Sequence, residues 1–445
     1  MRVKEIRAVI CPILLIENRI AYRFWETLQM LGIVADDFTG GLMIAGYIEG
    51  AGIACPVVFD KGELASIEPS PVVVVATRTR LIPAAEAVAE VEDIAERLDA
   101  AGCDRVAYKV CASFDSTDDG NIGPVADLLA RRYAQSPMLL SAGFPRFGAT
   151  VHQGYLFYRN RLVSESIKRF DPLTPMTDPD LVRVLSRQTQ AKVGLLPHAA
   201  LHAGIDAAQA GLDALAHDGV DYVMVDCSDD SDAEMGARLA SVMRTTIGSD
   251  AHIIAFAKAV SGNAQANAAP LPPHATGPAA AIVGSVGPVA MAQLAVFAQS
   301  HPVLTIDLLD ERPEEAIVAE ALGWASSHIG DQPLGITTAA ATETVEQAQK
   351  THGALNAARK AERLLAAVAR GLVDRGVRRL AVAGGETSGS VVEALGVRRV
   401  RAMPESELGT GFCVVDAPQH LSLYLKPGKL GADDILLRAI EAMRA

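Results

Sequence analysis

The segment Arg379–Gly396, RLAVAGGETSGSVVEALG, leaves a chain few ways to fold. Leu380–Ala383 is a short apolar run of strand type. Gly384 and Gly385 follow at once, and Val391, Val392 and Leu395 then recur at helical spacing up to a stop at Gly396. A strand that passes through a glycine turn directly into a helix is the building unit of an α/β sheet protein. Such a turn points several backbone N–H groups outward at the positive end of a helix dipole, a seat for phosphate. Glycine there lets a ligand come close to the backbone. An ordinary βα turn with no ligand has the same spacing, and the residues alone do not choose between the two.

The unit recurs along the chain. Leu31–Asp37, LGIVADD, reads as a strand ending in two carboxylates, and Gly40–Gly50 as the helix after it. Ile53–Phe59 and Val72–Ala76 are strands, the second running into Thr77, Arg78, Thr79 and Arg80. Pro83 opens a helix to Ala101, Asp104–Val110 is a strand, Pro124–Tyr133 a helix and Met138–Ser141 a strand. The alternation continues through Val193–Leu196, Ile205–Ala216, Tyr222–Asp226 and Ala233–Met243, which predicts a mostly parallel sheet covered on both faces. Between Pro145 and Thr177 the rhythm breaks. VHQGYLFYRNRLVSES reads as a hairpin turning near Arg159–Asn160, and PLTPMTDPD as a proline-rich lead into a helix that starts at Asp178 with Pro179 in first position. Such an excursion serves as a lid, an oligomer contact or a plain loop. Ser261–Gly277 has no apolar periodicity and reads as a linker over 261–277, dividing the chain into 1–260 and 278–445. After it come the strand Ala280–Val283, the turn Gly284–Ser285, the helix Val289–Phe297, the strand Val303–Leu308, the helix Leu355–Val373, the strand Leu421–Leu425 and a last helix Asp433–Met443. Residues 1–29 are an extension of unassigned character.

With 445 residues, half of them hydrophobic, the chain can bury the cores of two to three domains. Its net charge of -13 argues against a nucleic-acid surface. An anionic ligand must therefore be held by local cations and backbone N–H groups. The six cysteines form no CxxC pair and read as reduced thiols of a cytoplasmic protein. The early apolar run Val9–Ile16 is too short to cross a bilayer.

Asp36 and Asp37 end a strand at the rim where α/β proteins bind ligands. Such a carboxylate can take a hydroxyl proton, bind a metal or cap the following helix. Arg78 and Arg80 point the same way if their strand continues, a guanidinium fork for carboxylate or phosphate, or else a pair of surface arginines. Lys109, Ser113, Asp115, Ser116, Thr117 and Asn121 crowd a strand-to-helix segment, which suits a polyhydroxylated ligand or a polar capped loop. His198 and His202 share a face if helical, but the glutamate of HExxH is missing and they read as non-metal histidines. Walker A, GxGxxG and GxSxG motifs are all missing.

Taken together in one order, ADDFTGG (Ala35–Gly41), TRTR (Thr77–Arg80), YKVCASFDSTDDGNIGPV (Tyr108–Val125), VHQGYLF, PLTPMTDPDLVRVL, AGGETSGSVVEALGV and LYLKPGKLGADD resemble the four-carbon acid sugar kinase family, formerly a domain of unknown function. The resemblance implies two α/β domains with the active site in the cleft between them. The N-terminal domain would bind the acid sugar with Arg78, Arg80, Lys109, Asp115 and Ser116. The C-terminal domain would bind ATP with Ser285, Gly384, Gly385, Glu386, Thr387 and Gly428, with Mg2+ bridging the phosphates. Asp37 or Asp36 would take the hydroxyl proton, Asp37 being favoured, and the linker would let the domains close. The chain departs from the family pattern at Met43, where many members are acidic, and at Ala149, where an arginine is usual. PGKLG (Pro427–Gly431) replaces SGNFG, and Gly284-Ser285-Val286-Gly287 replaces a serine-rich turn. The nucleotide-side changes keep glycine and backbone donors. The sugar-side changes leave open a tetronate, a 3-oxo-tetronate or another 3-oxo acid sugar such as 3-oxo-isoapionate. An oxidoreductase on the same acids and a non-catalytic nucleotide-binding regulator are the competing classes. The expected partner is a small-molecule acid sugar, with neither nucleic acid nor membrane. The oligomeric state is open, a homodimer included.

Overall fold

The computed structural model describes residues 30–171, 173–262, 270–339, 347, 351, 353–428 and 430–444, so the extension over 1–29 lies outside the described residues. The strands of the first half are β1 (Leu31–Ala35), β2 (Pro56–Val58), β3 (Val72–Ala76), β4 (Arg105–Lys109), β5 (Met138–Ser141), β6 (Ala149–His152), β7 (Tyr155–Tyr158), β8 (Arg161–Leu162), β9 (Val193–Leu196), β10 (Tyr222–Val225) and β11 (Thr245–Gly248). Those of the second are β12 (Ala279–Val283), β13 (Val303–Thr305), β14 (Leu334–Thr337), β15 (Arg379–Ala383), β16 (Arg399–Ala402), β17 (Phe412–Val415) and β18 (Leu421–Lys426).

Fifteen of these form one sheet in the order β13-β14-β12-β15-β18-β17-β16-β2-β3-β1-β4-β11-β5-β10-β9. The pairs are parallel except where β16 and β17 take part. The two α/β halves thus share a sheet: β2 of the first pairs antiparallel with β16 of the second, Val57 opposite Val400. Both halves repeat one local topology, β3-β1-β4 matching β14-β12-β15, although the sequence shows no repeat.

Strands buried on both faces need unbroken apolar runs, and β1, β3, β12 and β15 are buried at every position. The covering helices fix which way each loop leaves. The helix Phe38–Gly50 lies on one face of the first half, Gly41 against Ala35 and Ala76; Ala84–Ala100 lies on the other, Leu98 against Gly32. In the second half Pro288–Ala298 and Ile435–Ala442 pack on one face. Ala354–Asp374 and Gly385–Ala394 pack on the opposite one.

The excursion differs from the expected hairpin. β6, β7 and β8 make a three-stranded antiparallel sheet. Its turns fall at Gln153–Gly154 as well as at Arg159–Asn160, Gln153 and Arg159 both having positive φ. The helix after it starts two residues later than Asp178. Leu156 N donates to Pro179 O at 2.8 Å, which holds that segment extended, so Asp180 caps the helix Leu181–Ser186 instead. Asp178 is taken up by Arg183 and Arg187. The last part of the linker region is pinned, Ala275 N donating to Ser422 Oγ at 2.8 Å. Among the described residues no helix is long and apolar enough to cross a membrane.

Candidate active site

Because β3, β1, β4 and β11 are adjacent and parallel, their C-terminal ends share one rim. Asp36 and Asp37, Thr77–Arg80, Lys109 and Asp250 arrive there together. The loops after β1 and β3 leave toward opposite faces, which opens the crevice where such sheets bind ligands.

Asp37 is the N-cap of the helix Phe38–Gly50. Its Oδ1 accepts from Gly40 N at 3.1 Å and its Oδ2 from Thr39 Oγ1 at 2.9 Å. Arg80 donates through Nε and Nη2 to the two oxygens of Asp36 (2.8 and 2.7 Å) and through Nη2 to Asp37 Oδ1 (2.8 Å). Lys109 Nζ lies 3.4 Å from Asp250 Oδ1 and 3.8 Å from Asp37 Oδ1. A Cβ at residue 40 would collide with Lys109 Nζ and Asp37 Oδ1, so this packing needs Gly40. The side chain of Asp37 is 27% exposed and that of Asp36 5%, so Asp37 is the carboxylate a ligand can reach. Burial pushes the Asp36 carboxyl up against the pull of Arg80. Burial works the same way on Asp37, but Arg80, Lys109, Thr39 and Gly40 outweigh it and hold this carboxyl below its ordinary range. For Lys109 burial favours the neutral amine, and Asp250 and Asp37 more than offset it, so the ammonium stays charged.

The arginine fork does not form. β3 ends at Ala76 and the chain turns tightly over Thr79–Leu81, so period-two alternation stops before Arg78. Arg80 folds back onto the two carboxylates, whereas Arg78 is exposed and leaves for the second half. Asn121 holds the turn by donating to Thr79 O and, at 3.3 Å, to Arg80 O.

Asp115 accepts from Ser113 Oγ at 2.7 Å and from Lys168 Nζ at 2.7 and 3.0 Å. Burial raises its carboxyl, but Lys168 and Ser113 prevail and lower it. Ser116 Oγ accepts from Gln188 Nε2 at 2.9 Å, which ties this loop to the segment after the excursion. His198 and His202 share a short helix with rings stacked at 5.4 Å, and His198 Nδ1 meets Asp232 at 2.9 Å.

A second rim gathers the C-terminal ends of β12, β15 and β18, again adjacent and parallel. Ser285, Gly384–Thr387 and Gly428 converge there. A Cβ at residue 428 would overlap Ser285 Oγ, and one at residue 284 would overlap Thr387 Oγ1. Gly384 has φ +131°, and its N–H donates to Lys426 O at 3.0 Å. Around Gly385 a Cβ would meet nothing within 4 Å, and Glu386 is exposed in the first turn of the helix. The loops after β12 and β15 also depart to opposite faces. A glycine cradle at a helix N-terminus between such loops fits a phosphate group.

The strands of the second half run opposite to those of the first, which taken flat would put the two rims at opposite edges. Strands in a sheet rotate by roughly 20–25° per step, and six steps separate β1 from β15. Twist accumulated over those steps turns the rims out of that flat arrangement. Arg78 links the two sides: its Nη2 donates to Ser390 Oγ at 3.4 Å, and its guanidinium lies 5.3 Å from the Phe38 ring centroid. A Cβ at Gly389 would overlap Arg78 Nη2.

Sequence reasoning missed Asp250, Lys168 and Ser390. Asp250 had a signal, since TTIGSD ends a strand in a carboxylate as LGIVADD does. Lys168 lies in the short turn Ile167–Phe170, which has no periodicity to read.

The molecule is therefore a two-part α/β protein, one rim bearing a carboxylate among fixed cations and the other a glycine cradle. Two family models match it in succession, one described as a sugar-binding N-terminal domain over residues 31–254 and one as a nucleotide-binding C-terminal domain over residues 280–436. The chain belongs to the family they define, the DUF1537 family. The 3-oxo-tetronate kinase of Methylobacterium radiotolerans is 38% identical over 419 residues, 93% of this chain and 99% of that protein. That of Burkholderia multivorans is also 38% identical, over 93% and 97% of the two chains. Among solved structures, a Salmonella typhimurium LT2 protein aligns with a TM-score of 0.82 at 30% identity over 92% of this chain and 98% of its own. A Haemophilus influenzae protein of the DUF1537 family aligns at 0.75 and 25% identity over 93% and 100%.

Proposed function

We propose that this protein is an ATP-dependent kinase that phosphorylates a hydroxyl of a four-carbon acid sugar of the 3-oxo-tetronate type. The reading is carried by one observation: Arg78, beside the carboxylate rim, reaches Ser390 in the helix Gly385–Ala394 that starts at the glycine cradle. Relatives named 3-oxo-tetronate kinase over almost the whole chain support it.

Phosphoryl transfer demands positioning and charge neutralisation more than covalent chemistry from the protein. Asp37, oriented by Gly40 and Thr39 and held by Arg80, takes the proton of the sugar hydroxyl. Arg80, engaged by Asp36 and Asp37 through Nε and Nη2, is a positioning residue. Arg78 has guanidinium donors to spare and reads the sugar's carboxylate. Lys109 fixes the charge of Asp37 from below, together with Asp250. Asp115, with Lys168, and Ser116 line the sugar side. The N–H groups of Gly384–Thr387, with Ser285 and Gly428, seat the phosphates. A magnesium ion carried by the triphosphate would neutralise part of its charge. Residues 1–260 and 278–445 serve as the sugar and nucleotide domains.

The test is ADP release from ATP across a panel of four- and five-carbon acid sugars and their 3-oxo forms. The reading requires turnover with a four-carbon member, 3-oxo-tetronate foremost. ATP binding with no ADP from any acid would overturn it in favour of a regulator.

A further inference from the structure

Lys426 ends β18 and is 2% exposed, yet its ammonium has no hydrogen-bond partner among the described residues. The other buried cations described above are matched: Lys109 by Asp37 and Asp250, Arg80 by Asp36 and Asp37. Arg379, at the other end of the second half's strands, is satisfied by the carbonyls of Gly277 and Ile440. Taking an ammonium out of water is costly unless something repays it. Among the described residues nothing does so for Lys426; burial acts on it and lowers its pKa to about 8.

Its place indicates where the compensation comes from. Lys426 is level with Ala383 of β15, and Ala383 with Val283 of β12. These three residues immediately precede Pro427–Gly428, Gly384–Gly385 and Gly284–Ser285. Along β18, Leu421, Leu423 and Leu425 belong to one core and Tyr424 to the other, so Lys426 shares the face of Tyr424, Ala383 and Val283. That is the face on which the helix Pro288–Ala298 begins, just beyond Ser285. A charge there is poorly screened and is felt at the crevice above.

We propose that Lys426 is the fixed positive charge of the phosphate seat and pairs with the polyphosphate of a bound nucleotide. The inference rests on reading the second rim as that seat. It explains why so acidic a chain keeps an uncompensated ammonium in a core: the charge is held for a ligand rather than for the fold.

The experiment uses the full-length protein, Lys426→Met, and Lys426→Gln as a second variant should the first not fold. ATP, inorganic tripolyphosphate and adenosine are titrated calorimetrically, and each protein is melted without ligand. The expected result is a loss of ~10–100-fold in affinity for ATP and tripolyphosphate, the scale of one charged contact, with adenosine unaffected and a higher melting temperature without ligand. Wild-type affinity of the variants for ATP overturns the inference alone. So does a lower melting temperature with all three ligands weakened together, which marks a structural lysine. Failure of the wild-type protein to bind ATP and tripolyphosphate overturns the reading of the seat beneath it.

Discussion

Replacing the two adjacent carboxylates one at a time separates their roles. In Asp36→Asn the buried charge is removed; the amide oxygen can still accept one of the two bonds from Arg80, which also keeps its 2.8 Å contact with Asp37. Breaking a buried pair costs about 3–5 kcal/mol, and the surviving contacts with the relief of burying the charge put this case at the lower end, about 3 kcal/mol. In Asp37→Asn the cap survives, because asparagine also accepts from Gly40 N, and Lys109 keeps Asp250. What is lost is the charge facing Arg80 at a partly exposed position, about 1.5 kcal/mol. The rates run the other way: Asp37→Asn removes the proton acceptor and should lower ADP release by roughly 10²–10⁴-fold. Urea midpoints and ADP release on both purified variants test the pair. Full turnover by Asp37→Asn would place the base elsewhere, with Asp115 next in line. An Asp36→Asn protein no less stable than Asp37→Asn would refute the assigned ion-pair geometry.

Gly385→Val should fold normally, because a Cβ there meets nothing within 4 Å, and should raise KM for ATP by about tenfold or more; unchanged ATP kinetics would move the seat. Arg78→Ala should lose about 1.5–3 kcal/mol of acid-sugar binding with little change in melting temperature, and an unaltered sugar KM would rule out carboxylate reading. His252 is buried, and burial holds its pKa at about 4 against 6.5. The unfolded chain therefore takes up this proton first, and stability should fall as pH drops from 6.5 toward 4, by about 3 kcal/mol in all. Melts across that window should show a shallower fall for His252→Phe; an identical fall would assign the acid sensitivity to other groups.

The strand-turn-helix units were legible because strands covered on both faces need continuous apolar runs and their turns need glycine. The same logic placed Asp36, Asp37, Lys109 and Gly384 at strand ends, and the resemblance to the acid sugar kinases added Ser285 and Gly428. The seam was not legible. β16 reads RVRA, a charged alternation typical of a surface, yet Arg401 is neutralised by Glu49 across the seam and Val400 is buried. β11 was hidden for a related reason: Thr245 and Thr246 are polar but fully buried, Thr246 Oγ1 bonding Leu139 O at 2.9 Å. The parting of Arg78 from Arg80 depends on a tight turn, which residue spacing does not encode.

The pairing of β2 with β16 also sets how the cleft can move. A swing about the linker alone would have to tear the ladder at Val57 and Val400 and the ion pair of Arg401 with Glu49. The low-cost deformation is instead a change in the coil of the common sheet, in which every strand gives a little and no hydrogen bond is lost. The molecule then behaves as a torsion spring rather than a pair of jaws. Any such change turns the two rims relative to one another, so their alignment is a property of the whole span of strands rather than of any one joint.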